Sequence, residues 1–222
     1  EDYFLVKDVG FNYWSAGKGK KRDGDSIGDR VLYSGEIQNP MDQGYIKGRD
    51  FTRYSQPSPH NYLRYDYKKL LNANDTFRYS PEILSITPKI IYRQTANTII
   101  ASMDFNALLV DKTVHVIVPK LGNCGIYLLL GLLNSKLYQY LYSNISQETK
   151  GRVFSQVKTV YIKQLPVIEK SNSSQDITIL VKEALNITKS GQDISSIEDS
   201  IDKLVYEMFE LSKEEIAVVE AI

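Results

Sequence analysis

The sequence predicts an α+β protein: a β-rich body built around one buried helix, followed by a small C-terminal helical region. Three observations carry that expectation. Residues 88–119 break into short β-rich runs separated by polar links. Residues 125–143 set Leu128, Leu129, Leu132, Leu133, Leu137, Tyr140 and Leu141 at three- and four-residue spacings, so one helix could bury all of them on one face. Beyond Pro166 the apolar residues again recur at helical spacing, now among charges.

Charge divides the chain at the same place. Over 222 residues the net charge is zero, yet residues 1–168 hold 22 Lys+Arg against 15 Asp+Glu, and residues 169–222 hold 5 against 12. We therefore expect a domain spanning 1–168 and a helical region spanning 169–222. A basic body beside an acidic tail suits an anion-binding domain next to a protein-contacting element, although many neutral proteins carry such asymmetry without either role. An apolar content of 42% is enough for a core. The apolar run at 126–133 is far shorter than the roughly 18 residues that cross a bilayer, so no membrane partner is expected. Cys124 is the single cysteine, which excludes an internal disulfide and is compatible with a reducing cytoplasm. Residues 1–9 read as a strand from the middle of a chain, and a fragment of a longer protein is expected.

Taken in order, residues 10–30 carry five glycines and the cluster Lys18, Lys20, Lys21 and Arg22. This predicts a flexible basic loop, suited to phosphate contact or simply to solvent. No glycine spacing there matches a Walker loop or a dinucleotide fingerprint. Residues 31–35 read as a strand and 39–44 as a turn. In GYIKGRDFTRY, residues 44–54, the odd spacing of 45, 47, 49, 51 and 53 would put them on one face of an extended segment. Lys47, Arg49 and Arg53 could then track a phosphate backbone while Tyr45, Phe51 and Tyr54 pack; a charge-guarded sheet edge would look the same. Residues 55–79 are rich in Pro, Asn and Tyr. The sixteen tyrosines of the chain suit an interface without choosing protein or nucleic acid.

Runs at 89–94, 98–103, 107–110 and 113–118 predict an antiparallel meander. A polar loop at 143–152 ends in Lys150, Gly151 and Arg152, and a strand-like segment continues to Pro166. After the serines at 171–174, helices are expected at 176–189, 194–209 and 213–221. The second of these carries the stripe Ile197, Ile201, Leu204, Val205, Met208 and Phe209; the third opens on a Ser212/Glu215 capping box.

Catalytic chemistry is not visible. His60 and His115 are the two histidines, and His115, inside a predicted strand, reads as a satisfied core or surface residue. One cysteine and no His/Cys/carboxylate cluster make a metal site improbable. No nucleophile elbow or HExxH motif is present.

Four blocks in order, GYIKGRDFTRY, PKIIYRQTANTIIASMDFNALLVDKTVHVIVP, YLLLGLLNSKLYQYLYS and VKTVYIKQLPV, resemble the TaqI-like C-terminal specificity domain. That domain is the target-recognition part of bacterial restriction-modification enzymes, and is similar to the recognition domains of Type I specificity subunits. The tail IDKLVYEMFELSKEEIAVVE looks like the ending of fused Type II restriction-methyltransferase chains. The resemblance implies a bacterial cytoplasmic parent whose catalytic part methylates adenine N6 with S-adenosylmethionine. It implies no cofactor and no catalysis in this fragment. Asn39-Pro40-Met41-Asp42 is the nearest approach to the Asn/Asp-Pro-Pro-aromatic signature, and it departs at both later positions.

The expected partners are double-stranded DNA and the methyltransferase domain or subunit of the same system. Candidates for phosphate contact are Lys18, Lys20, Lys21, Arg22, Lys47, Arg49, Arg53, Lys150 and Arg152. Candidates for base or shape reading are Tyr92, Arg93, Gln94 and Asn97 around the first hairpin. The alternative is an assembly module, such as a Type I specificity-subunit segment whose helical tail binds a methyltransferase subunit.

Overall fold

The chain begins with β1 (Phe4–Lys7) and β2 (Asn12–Ser15), followed by the short helix α1 (Ile27–Val31) and by β3 (Leu32–Ser34), β4 (Gln43–Ile46), β5 (Asn61–Leu63) and β6 (Asp75–Arg78). Next come α2 (Pro81–Leu84), β7 (Lys89–Arg93), β8 (Ala101–Asp104), β9 (Leu109–Val110) and β10 (Val114–Pro119). The remainder is helical: α3 (Ile126–Asn134), α4 (Lys136–Ile145), α5 (Thr159–Ile162), α6 (Ser173–Ile187), α7 (Ser195–Met208) and α8 (Lys213–Glu220). This is a computed structural model, which describes residues 3–16, 26–120, 125–146, 156–168 and 171–221. The mixed α+β architecture expected from the sequence is what the structure has.

A four-stranded antiparallel sheet in the order β1-β10-β7-β8 is the dividing wall. Alternate residues of its central strands serve different cores. Ile90, Tyr92 and Ile117 face a core completed by α3, α4, α6, α7 and α8, whereas Ile91, Val114 and Val116 face a second core with Phe11, Val31, Ile46, Leu63 and Phe77. Strands buried on both faces have no polar alternation, which is why β7 and β10 read as continuous apolar runs. A second sheet, β3-β5-β4-β9, and a two-stranded ribbon, β2-β6, cover the second core.

The expected meander is not formed. Asp104 accepts the backbone N–H of Asn106 (2.8 Å) and of Leu108 (2.9 Å), and Ala107 takes a left-handed φ of 53°. The chain therefore turns out of the first sheet, and β9 pairs in parallel with β4 in the second. Residues 98–100, expected in a strand, precede β8 instead.

The leucine-rich stretch forms two helices rather than one. Ser135 is extended (φ −67°, ψ 154°); its hydroxyl donates to Leu132 O (2.7 Å) and accepts from Tyr138 N (3.3 Å), ending α3 and capping α4 with one side chain. Leu128, Leu129, Leu130, Leu132 and Leu133 are all buried, each contributing on the order of 1.5–3 kcal/mol. α6 crosses α3 at Gly131, where a Cβ would lie 2.8 Å from Ile177 Cγ2 and 2.9 Å from Val181 Cγ2. Only glycine permits that approach without displacing two branched side chains.

Residues 157–167 are not a strand. Val157 N donates to Gln94 O (2.6 Å), Lys158 N donates to Tyr142 Oη (3.1 Å), and α5 with the turn that follows it then places Ile162 and Leu165 in the first core. Their three-residue spacing fits a helical turn; the β-branched residues around them suggested otherwise. The three tail helices form close to their expected limits, and the Ser212/Glu215 capping box is present. Their apolar stripes are buried against α3 and α4. Lys136 ties them down: its backbone N–H donates to Asp202 (2.8 Å), and its ammonium lies 3.4–3.7 Å from Asp199, Asp202 and Glu220. Burial alone would lower the Lys136 ammonium, but Asp202, Glu220 and Asp199 outweigh it and hold it above its ordinary value. Among the described residues no helix is long and apolar enough to cross a membrane.

Candidate nucleic-acid interface

After β4 the chain makes a one-turn 3-10 helix, Gly48–Asp50. Gly48 N donates to Thr113 Oγ1 (2.7 Å), and a Cβ on Gly48 would lie 2.9 Å from the Thr113 carbonyl oxygen, so this turn seats against the β9–β10 connection only as glycine. Asp50 accepts the Lys47 N–H (2.9 Å) and closes the turn. The turn breaks the expected alternation, so residues 45 to 53 do not share one face. Tyr45, Phe51 and Tyr54 are buried, Lys47 is half-buried with its ammonium 5.6 Å from the Tyr45 ring centroid, and Arg49 projects outward with 80% of its side chain exposed. Arg53 is partly covered and lies 3.9 Å from Glu198 of α7.

Arg93 holds this segment in place. Its Nε (3.1 Å) and Nη2 both donate to the Phe51 carbonyl, and its guanidinium sits 5.8 Å from the Phe51 ring centroid. A guanidinium so engaged acts on the turn rather than standing free for a base. Tyr92 has no exposed surface and therefore offers nothing for a base to stack on; it packs 5.2 Å from the ring of its cross-strand partner His115. That removes Tyr92 from the reading candidates. Gln94 is half-buried, and its backbone is engaged on both sides, by Thr113 O (2.8 Å) and Val157 N (2.6 Å). Asn97 is exposed. Lys18, Lys20, Lys21, Arg22, Lys150 and Arg152 lie outside the described residues.

Between these loops and α7 runs a cleft of about 540 Å³, with Arg53, Arg93 and Thr98 on one side and Thr188, Asp193 and Glu198 on the other. Thr188 Oγ1 donates to Tyr54 O (2.8 Å), joining the two walls. Tyr54 adopts a left-handed φ of 56°, a conformation that costs a non-glycine residue on the order of 1 kcal/mol or more and that fixes the direction in which Arg53 leaves the turn. Burial raises the Glu198 carboxyl, against the opposing pull of Arg53. The cleft is thus lined by fixed charges of both signs and hydroxyls, an arrangement for recognition by hydrogen bonds.

Arg64, which no motif in the sequence marks, stacks 4.9 Å from the Tyr33 ring centroid while Tyr33 stacks on Tyr62. The tyrosine-rich composition of 55–79 was the available signal. His115 departs from the satisfied residue expected: it is buried, and its Nδ1 stands 3.6 Å from Asp8 without a hydrogen bond. Burial lowers its pKa, with Asp8 opposing. Among the described residues no three His, Cys, Asp or Glu side chains converge on a metal position.

Over its length the chain is similar to the Type IIL restriction-modification enzyme MmeI, solved in complex with DNA, at 11% identity and a TM-score of 0.59, covering 95% of this chain and 34% of that one. A component of a type I restriction-modification system aligns over 95% of this chain and 45% of that one, at 8% identity and a TM-score of 0.38. The chain thus spans about a third of the MmeI polypeptide. Residues 43–167, more than half of the sequence, match the model of the TaqI-like C-terminal specificity domain, and the chain belongs to that family.

Proposed function

We propose that this chain reads a double-stranded DNA sequence on behalf of an adenine-N6 methyltransferase, in a Type II fused restriction-methyltransferase or a related system. The observation that carries the reading is the rigid turn at Gly48–Asp50. Thr113 and Asp50 fix it, Arg93 clamps the segment that follows, and Arg49 projects from it beside the arginine-lined cleft. A cation on a fixed turn contacts a phosphate and sets register, while the partly covered Arg53 and the exposed Asn97 stand where base edges can be read. Extrusion of the target adenine and transfer of a methyl group from S-adenosylmethionine fall to the parent's catalytic part. The chain itself supplies position and sequence preference.

Fluorescence anisotropy with labelled duplexes tests this. The 222-residue chain should bind duplex weakly and with strong salt sensitivity, and the chain joined to its catalytic part should bind one sequence preferentially. Equal affinity of the joined protein for all duplexes would contradict the reading.

The assembly-module alternative has less support. The apolar stripes of α6 and α7 are buried in the chain's own core, and Asp199, Asp202 and Glu220 face Lys136. Ile179 on α6 and Val218 on α8 are the large apolar side chains these helices leave exposed among the described residues, a small surface for a partner subunit.

A further inference from the structure

The ribbon formed by β2 and β6 has two different faces. Its register pairs Asn12 with Arg78, Tyr13 with Phe77, Trp14 with Thr76 and Ser15 with Asp75. Tyr13 and Phe77 share the other face, with rings 5.9 Å apart and 4° from parallel; Phe77 is buried and continues onto Phe11 and Tyr67, while Tyr13 covers it and remains 41% exposed. By the alternation of a strand, Asn12, Trp14, Thr76 and Arg78 share the outer face. On that face Trp14 is 44% exposed, and the Arg78 guanidinium lies 5.2 Å from its ring centroid. Among the described residues Arg78 has no carboxylate partner, and no third strand joins the ribbon.

This is an unusual set of groups to leave in solvent. An indole, a guanidinium and a hydroxyl match the contacts made to base edges: Arg to guanine O6 and N7, Thr to either purine, and an apolar ring to the thymine methyl; Asn12, whose Nδ2 donates to Gly10 O (2.9 Å), has its Oδ1 left to accept from a base amino group. None of these four side chains is acidic. Stacking on Trp14 restricts the Arg78 fork before any ligand arrives, which lowers the entropy lost on binding. A major groove about 12 Å wide admits a two-stranded ribbon. The ribbon also adjoins the turn that bears Arg49. Phe11, next to Asn12, is bridged to Asp111, whose N–H donates to Ile46 O (3.1 Å) at the start of that turn. Phe11 also meets the Tyr45 ring edge-on at 5.0 Å, so ribbon and turn converge there.

We infer that the outer face of the β2–β6 ribbon, Asn12, Trp14, Thr76 and Arg78, enters the major groove of duplex DNA and reads bases there, with Arg49 holding the adjacent phosphate. The inference rests on the DNA-reading function proposed above and adds an element to it. Trp14 is the single tryptophan of the chain, so its emission reports on this face alone.

The test is titration of the 222-residue chain with a labelled duplex, following duplex anisotropy and Trp14 emission together at low salt. Duplex binding should quench Trp14 and shield it from acrylamide. In the chain joined to its catalytic part, Arg78→Gln should weaken the preference at one base pair by about ten- to a hundredfold in selections from a randomised duplex pool. Thermal unfolding of that variant should be unchanged, since Arg78 is exposed. Duplex binding that leaves Trp14 emission and acrylamide access unchanged overturns the ribbon inference while leaving the proposed function intact. Equal quenching by a single strand also overturns it, because the face would then be a stacking platform for unpaired bases. No duplex binding by either form of the protein overturns both.

Discussion

Asn134 grips both backbone groups of Ala101: its Oδ1 accepts the Ala101 N–H at 3.0 Å and its Nδ2 donates to the Ala101 carbonyl at 3.0 Å. β8 is the outer strand of its sheet, and this amide stands in for the missing neighbour. Gln139 does the same two residues away, accepting from Ile99 N (2.7 Å) and donating to Ile99 O (3.3 Å). The Ala101 carbonyl also receives the Tyr54 N–H (3.2 Å), so the helix pair is linked through β8 to the segment that carries Arg53.

Asn134→Ala should therefore destabilise the chain by about 2–3 kcal/mol, because the buried Ala101 N–H loses its acceptor. Urea unfolding of the variant checks the value. A loss below about 0.5 kcal/mol would mean that the edge is satisfied in some other way.

Lys89 and Asp104, both fully buried and opposite each other on β7 and β8, form an ion pair at 2.5 Å, and Lys89 also donates to Leu84 O (2.7 Å). Lys89→Met leaves the Asp104 carboxylate buried with only the Asn106 and Leu108 N–H donors, and should cost about 3–5 kcal/mol. Chemical denaturation at pH 7 is the measurement.

Acid should loosen the base of the ribbon. Hydrogen bonds from Ser15 and Arg30 hold the Asp75 carboxyl at about 2, below its ordinary 3.8. The folded state thus favours the charged carboxylate. This stabilisation is complete above about pH 4 and is lost as the pH falls through about 2. Acid unfolding followed by Trp14 emission should show the transition, and Asp75→Asn should flatten it.

Gly131→Ala tests the docking of α6 on α3. Overpacking against Ile177 and Val181 costs about 1–3 kcal/mol, which exceeds the gain of up to about 1 kcal/mol in helix propensity. A net loss in melting experiments is expected; a gain would show that α6 yields easily.

What the sequence revealed follows the range of the interaction. α7 and α8 were legible because an apolar stripe and a Ser212/Glu215 box are local features. The exit of β9 to another sheet was not, since parallel pairing of Leu109 and Val110 with Tyr45 and Ile46 leaves no mark on neighbouring residues. Ser135 could have been recognised as a cap within the leucine run. At the candidate interface, charge among aromatics singles out Arg49, which the structure leaves exposed on its turn, whereas the burial of Tyr92 is hidden because a strand buried on both faces looks like any β-rich run. The clamp role of Arg93 depends on the Phe51 carbonyl, 42 residues away, and no spacing rule reaches it.

The central claim, that Arg49 meets a phosphate from a fixed turn, is tested most directly by the salt dependence of duplex binding. A plot of log K against log salt should have a negative slope, and Arg49→Gln should reduce its magnitude by about 1 while weakening all sequences alike. A slope unchanged by Arg49→Gln, or absent in the wild-type chain, would contradict the account.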